Sequence, residues 1–192
     1  MKLITHRAIV ILFTILTSST VYADLVALTF DELPEQSVNG LTIQGLTFGY
    51  DGTFSNYHGV SGPINATFLK QPYLDGHTNG TLTLDFSSPT PLLEFGISYR
   101  NAQTFTAAAT VELLDKSLKS IGQFEVSTMP LLTFTEGRFI YTGTPIRRAV
   151  INFDETINAF FHLDNLKFIR DKCRKIKIRK LKNQRELNGL VK

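Results

Sequence analysis

Between residues 26 and 168 the chain advances in short runs in which apolar and polar residues alternate, each run cut off by turn-forming residues. Thr81-Leu82-Thr83-Leu84-Asp85-Phe86 is the cleanest of them: Leu82, Leu84 and Phe86 fall on one side of an extended chain. A period of two is what a strand with one buried face requires, because successive side chains point to opposite sides of a pleated backbone. Comparable runs cover 26–30, 41–48, 92–99, 106–114, 120–126, 139–141, 149–153 and 159–168. Ser87-Ser88-Pro89-Thr90-Pro91 reads as a turn between two runs. Asp115-Lys116-Ser117-Leu118-Lys119 reads as a hairpin link. No stretch carries a helical period. About nine or ten strands with turn chemistry between them predict an all-β fold. Its architecture is an antiparallel two-sheet β-sandwich, jelly-roll or galactose-binding-like.

The ends of the chain differ from this body. Residues 1–23 have a positive start at Lys2 and Arg7, an apolar run over 8–16, and the closing Val21-Tyr22-Ala23. Small residues at the third and first positions before a cut suit a signal peptidase, so cleavage is expected between Ala23 and Asp24. The apolar run is too short for a membrane span, which needs about 20 apolar residues. The expected organisation is therefore a signal peptide at 1–23, a sandwich domain at 24–168 and a basic tail at 169–192, without a transmembrane anchor once the leader is removed. The expected location is extracellular, with cell-surface association through the tail.

Charge divides the same way. The formal net charge of +3 is the sum of an acidic body and a basic end. Residues 24–166 hold seven Lys or Arg against fifteen Asp or Glu, and residues 167–192 hold eleven against two. Such a tail suits an anionic surface, whether cell-wall polymer or membrane; a solvated tail is the plainer reading. Nucleic acid is not an expected partner of an exported chain. The single cysteine, Cys173, rules out an internal disulfide, so the fold must rest on its core or on a bound ion.

Alternation through the first and last strands places Glu32 beside Val26, Leu28 and Phe30. It places Asp164 beside Phe160, His162, Leu166 and Phe168. If those faces are the buried ones, two carboxylates point inward and need backbone donors or a cation. Calcium takes about six to eight oxygens from carboxylates and carbonyls, so Asp31, Glu32 and Asp164 are candidate ligands of a structural Ca2+. The plainer reading makes Asp31 and Glu32 turn residues before Pro34, and gives Asp164 and Asn165 backbone bonds at a bulge.

Certain motifs recur in order: Phe30-Asp31-Glu32-Leu33-Pro34, Gly40-Leu41-Thr42-Ile43-Gln44-Gly45-Leu46-Thr47-Phe48, Thr83-Leu84-Asp85-Phe86, Val111-Glu112-Leu113-Leu114-Asp115 and Leu163-Asp164-Asn165-Leu166-Lys167-Phe168. In these the chain resembles secreted β-sandwich proteins of the bacterial PEP-CTERM type and of fungi. The resemblance implies fold and export and carries no settled activity. The chain departs from the PEP-CTERM pattern in lacking Pro-Glu-Pro and a final apolar span. In its acidic first-strand end and closing Leu-Asp pair it is also similar to carbohydrate-binding modules and MAM-type domains. That likeness implies the structural calcium just described.

The stretch from Tyr50 to Tyr73 reads as one long loop carrying Tyr50, Phe54, Tyr57, His58, Phe68 and Tyr73 among Asp51, Asn56 and Asn65. Rings beside amides and acids suit sugar recognition, which makes Tyr50, Tyr57, His58 and Tyr73 candidate ligand-binding residues. The competing reading, favoured for a long loop, tucks these rings into the sandwich edge as anchors. Asn65-Ala66-Thr67 and Asn79-Gly80-Thr81 are glycosylation sequons. Catalytic motifs are missing: there is no G-x-S-x-G, and His58, His77 and His162 show no metal-ligand spacing. The expected function is a secreted, non-enzymatic binding module for a glycan or cell-wall polymer. The alternatives are a matrix protein tethered by its tail and, less favoured, a glycoside hydrolase.

Overall fold

The computed structural model describes residues 21–60, 62–63 and 66–173. The leader expected at 1–23 lies outside these residues except for 21–23, and the tail expected at 169–192 except for 169–173. Asn65, the acceptor residue of one sequon, also lies outside them. The compact body is Ala23–Lys172.

Among the described residues ten strands follow one another: β1 Val21–Leu28, β2 Thr42–Ile43, β3 Leu46–Tyr50, β4 Ser55–Gly59, β5 Tyr73–His77, β6 Thr81–Tyr99, β7 Phe105–Leu114, β8 Ser120–Leu131, β9 Phe134–Phe153 and β10 Phe160–Cys173. Among the described residues the only helical element is a 3-10 turn, Glu155–Ile157, capped by Asp154. The pairings among β2–β10 are all antiparallel.

Two long strands build the two layers. β6 was expected as two strands with a turn at 87–91. It is one strand whose ladder to β9 slips between Asp85 and Thr90 and again between Thr90 and Leu92. Pro89 and Pro91 lack the N–H a ladder needs, so pairing lapses there while the chain keeps its direction. The runs at 139–141 and 149–153 likewise belong to one strand, β9. On one side of the slip, residues 81–86 and 148–153 join β3, β7 and β8; on the other, residues 92–99 and 135–142 join β10, β5 and β4. We call these layer 1 and layer 2. β1 pairs with β10.

Rings pack between the layers. Phe153 of layer 1 stacks on Phe161 of layer 2 at 3.9 Å and 16°. Tyr50 reaches Phe161, Phe86 reaches Phe168, and the Tyr99 hydroxyl donates to Ala108 O at 2.8 Å. Burying a ring such as Phe161 contributes about 1.5–3 kcal/mol, and this apolar filling holds the sandwich. Leu82, Leu84 and Phe86 all lie in it, as their alternation requires. The chain is an all-β sandwich.

Several local expectations change. The run at 41–48 is a hairpin: Gln44 and Gly45 hold φ of 49° and 88°, and Ile43 faces Leu46. Two positive φ values in a two-residue loop match the strand twist, and Gly45 supplies one of them freely. The link at Asp115–Lys119 closes a hairpin as expected, with Asp115 Oδ1 accepting from the Ser117 and Lys119 amides. The stretch from Tyr50 to Tyr73 is not all loop, since β4 lies inside it, and β5 takes up Asp75-Gly76-His77. β10 continues past Phe168 through Ile169 and Arg170, and Arg170 bonds Gln44 O and Asp24.

Candidate ligand-binding face

The face of layer 2 turned away from the core carries the polar chemistry, and strand register arranges it in rows. In the first row Phe160 stands opposite His77, whose amide donates to Phe54 O at 3.1 Å. Phe160 meets Phe54 edge-on at 5.8 Å and His77 edge-on at 5.5 Å. Phe54 and Phe160 remain 45% and 40% exposed. Thr53 and Asn79 are bonded to each other beside them.

The second row crosses five strands: Asn56 faces Asp75, Asp75 faces His162, His162 faces Ser98, and Ser98 faces Glu136. Asn56, Asp75, His162 and Ser98 are all buried. The segment 66–72 covers this row and the next. Glu136 Oε2 accepts from the Thr67 and Phe68 amides at 2.8 and 3.2 Å. Burial pushes the Asp75 carboxyl up to about 6 and the His162 imidazole down to about 4, so His162 is neutral at pH 7. The rings of Tyr73 and Phe134 flank it at 5.5 and 5.7 Å.

In the third row Asp164 faces Gly96, and Gly96 faces Arg138. Here the expectation for β10 fails. Asp164 and His162 were placed on the same face as Leu166 and Phe168, but a bulge between Asp164 and Lys167 reverses the alternation. Asn165 supplies it with φ of 53°, a left-handed conformation that Asn tolerates. Phe161, Leu163, Leu166 and Phe168 therefore fill the core, and Asp164 turns outward beneath segment 66–72. Its Oδ2 accepts from the Lys70 amide at 2.7 Å and from Asn165 Nδ2 at 3.2 Å. Burial lifts its carboxyl to about 6, the Lys70 and Asn165 amides pull it back, and the Glu32 and Asp31 charges add to the rise.

Glu32 does not point inward. β1 ends at Leu28, and Phe30 takes a left-handed φ of 61°, so the strand's alternation never reaches residue 32; Asp31 and Glu32 are exposed. Glu32 accepts from the Thr29 amide at 2.8 Å and from the Tyr57 hydroxyl at 2.6 Å, and Asp31 from the Thr29 hydroxyl at 2.7 Å. Donors that would compete with a cation are thus in place on all three acids proposed for calcium. Among the described residues no three Asp, Glu, His or Cys side chains gather to hold a metal ion.

The aromatic candidates are anchors. Tyr57 and Tyr73 are fully buried, and Tyr50 nearly so. Their hydroxyls are spent on Glu32, on Pro63 O and on His77 O. Burial raises Tyr50 and Tyr73 to about 12, so neither ionises near neutrality. His58 holds φ of 75° and places Nδ1 3.2 Å from Phe30 O. None of the three tyrosines presents its ring to a ligand. On this face, among the described residues, the exposed rings are Phe54, which the long segment contributes at its start, and Phe160, which the last-strand pattern places on the His162 face; Phe124 on β8 is exposed as well.

The fourth row opens a cleft of about 300 Å³, lined by Thr67, Phe68, Lys70, Glu94, Arg138 and Lys167 together with Gly96 and Asn165. Glu94 Oε1 receives Arg138 at 2.9 Å and Lys167 at 2.8 Å, and these two cations hold its carboxyl below the usual range. The Arg138 guanidinium lies 5.8 Å from the centre of the Phe68 ring. Sequence reasoning passed over Glu94, Arg138 and Lys167, which no local motif links.

Neither a protein-family profile nor a curated protein matches the chain. Among solved structures it is similar to a family 29 carbohydrate-binding module, at 12% identity over 77% of this chain and 89% of that one, with a TM-score of 0.45. It is similar to a variant of a family 29 module complexed with mannohexaose, at 12% identity over 77% and 92%, with a TM-score of 0.44. It is also similar to the enzymatically active domain of bacteriophage CBA120 tailspike protein 4, at 16% identity over 70% of this chain and 22% of that one, with a TM-score of 0.38. The sandwich itself rests on the strand ladders and ring contacts described above.

Proposed function

We propose that this chain is an exported, non-catalytic glycan-binding module that offers the uncovered Phe54–Phe160 end of layer 2's outward face to its ligand. The observation that carries the reading is the first row: two open phenylalanine rings braced by His77, with Phe160 and His77 paired across β10 and β5 and Phe54 immediately before β4. A ring's negative face attracts the weakly positive C–H groups of a sugar. Rings held by strands lose little freedom when a ligand docks, which favours binding. Thr53 and Asn79 beside them offer hydroxyl and amide groups for orientation. Export rests on the pattern of residues 1–23, and a mature chain beginning at Asp24 is the outcome expected from mass spectrometry of secreted material.

The test is a glycan array probed with wild type and with Phe54→Ala/Phe160→Ala. Wild type should retain glycans, and the double variant should lose that retention while melting normally. Absence of retention at high protein concentration, or equal retention by both proteins, refutes the reading.

A further inference from the structure

The cleft at the far end of the same face has a charge and hydrogen-bond balance that a neutral sugar does not need. Three cations, Lys70, Arg138 and Lys167, line it against one carboxylate, Glu94. Of the neighbouring acids, Glu136 Oε2 accepts from the Thr67 and Phe68 amides and Asp164 Oδ2 from the Lys70 amide, while Asp164 Oδ1 is buried without a partner among the described residues. Asn165 Nδ2 is bound to Phe68 O and Asp164. The donors are not exhausted. Arg138 carries five N–H groups and Lys167 three, and among the described residues Glu94 is the acceptor given to each of them. No hydrogen bond or ion pair engages Lys70 Nζ among the described residues. Phe68 lies against the guanidinium, and Glu94 holds one end of it. Its remaining edge is thereby fixed, the condition under which a planar fork recognises an oxyanion at least cost.

We infer that this cleft takes the oxyanion of an acidic glycan, a uronate carboxylate or a sulfate ester, with Arg138 as the fork and Lys70 and Lys167 as flanking charges. The inference rests on the glycan-binding reading and narrows it to anionic ligands. By strand rise, the cleft lies about 20 Å along β10 from the aromatic row, and an oligosaccharide that reached both would run over segment 66–72.

The experiment is an array of neutral, uronate-bearing and sulfated glycans probed with the full chain. Calorimetry of the best binder follows, at low salt and at about 0.3 M salt, where charge attraction is screened. Retained glycans should carry acid groups, the uronate and sulfate arms identifying which. Affinity should fall about tenfold at high salt, and about tenfold in Arg138→Gln and in Lys70→Gln. Lys70 is exposed, so its substitution leaves the fold intact should Arg138→Gln disturb it. Retention confined to neutral glycans overturns the inference and leaves the glycan reading standing. So does an acidic glycan whose affinity neither variant changes. Retention of no glycan overturns both.

Discussion

The backbone amide of Lys70 donates to Asp164 Oδ2 at 2.7 Å, joining residues 94 apart in sequence. That bond is one of the pins holding segment 66–72 over layer 2. An asparagine at 164 keeps an acceptor there, whereas an alanine does not. The net worth of such a bond is about 1 kcal/mol. Asp164→Ala should therefore speed hydrogen exchange at the Lys70 amide by about fivefold over Asp164→Asn, as read by amide exchange NMR. Equal rates in the two variants would mean that the pin does not hold the segment.

Acidification should act on three buried groups with opposite signs. Asp75 and Asp164 are raised to about 6, and His162 is lowered to about 4, burial being the largest cause in each case. The folded chain keeps carboxyl protons that the unfolded chain has released. The acids' contribution is thus full below about pH 4 and is lost as pH rises through about 6. His162 behaves oppositely: its contribution is full above its ordinary 6.5 and is lost as pH falls toward about 4. Between pH 7 and pH 5 the two acids and the histidine largely offset each other. Wild type should change little. His162→Gln should gain about 2 kcal/mol on acidification, and Asp75→Asn should lose stability. Chemical denaturation at the two pH values measures this, and identical profiles for all three proteins contradict it.

At Gly96 the covering segment lies tight against the sheet. A Cβ there would stand 2.4 Å from Phe68 O, a backbone atom that cannot swing aside. Gly96→Ala should force segment and strand apart, break the Asn165–Phe68 bond and cost about 1–3 kcal/mol in urea unfolding. It should also weaken acidic-glycan binding, because Phe68 carries Arg138.

The β2–β3 hairpin offers a change in the other direction. Gln44 holds a φ of 49°, a conformation that costs an L-residue about 1–2 kcal/mol and glycine almost none. Its side chain makes no bond among the described residues; the contact to Arg170 uses its carbonyl. Gln44→Gly should raise the urea midpoint, by less than the full strain because glycine also loosens the unfolded chain. A lower midpoint would mean that the hairpin gains nothing from relief of that strain.

Strand character was legible wherever alternation was strict, as at Leu82, Leu84 and Phe86. It misled wherever one residue broke the period. Asn165 reverses β10, so Asp164 was read as facing the core when it faces segment 66–72. Gln44 and Gly45 fold one apparent strand into two, and the Pro89–Pro91 stretch joins two apparent strands into one. A bulge or a bend changes parity by a single residue, and the side chains on either side still look like strand. The aromatic stretch failed differently. Its composition suits both a sugar platform and an anchor, and only the partners of Tyr50, Tyr57 and Tyr73 reveal the anchors.

By itself the sequence determined an all-β chain with a core of alternating apolar residues and no internal disulfide, because local periodicity and composition are properties of neighbouring residues. Tertiary structure decided which polar groups meet. Phe54 reaches Phe160 through the β4–β5–β10 ladder, and Arg138 reaches Glu94 and Phe68 through the β6–β9 ladder and the segment laid across it. Those contacts depend on register and on which way each layer faces, quantities fixed by packing across the whole sandwich and written in no single stretch of it.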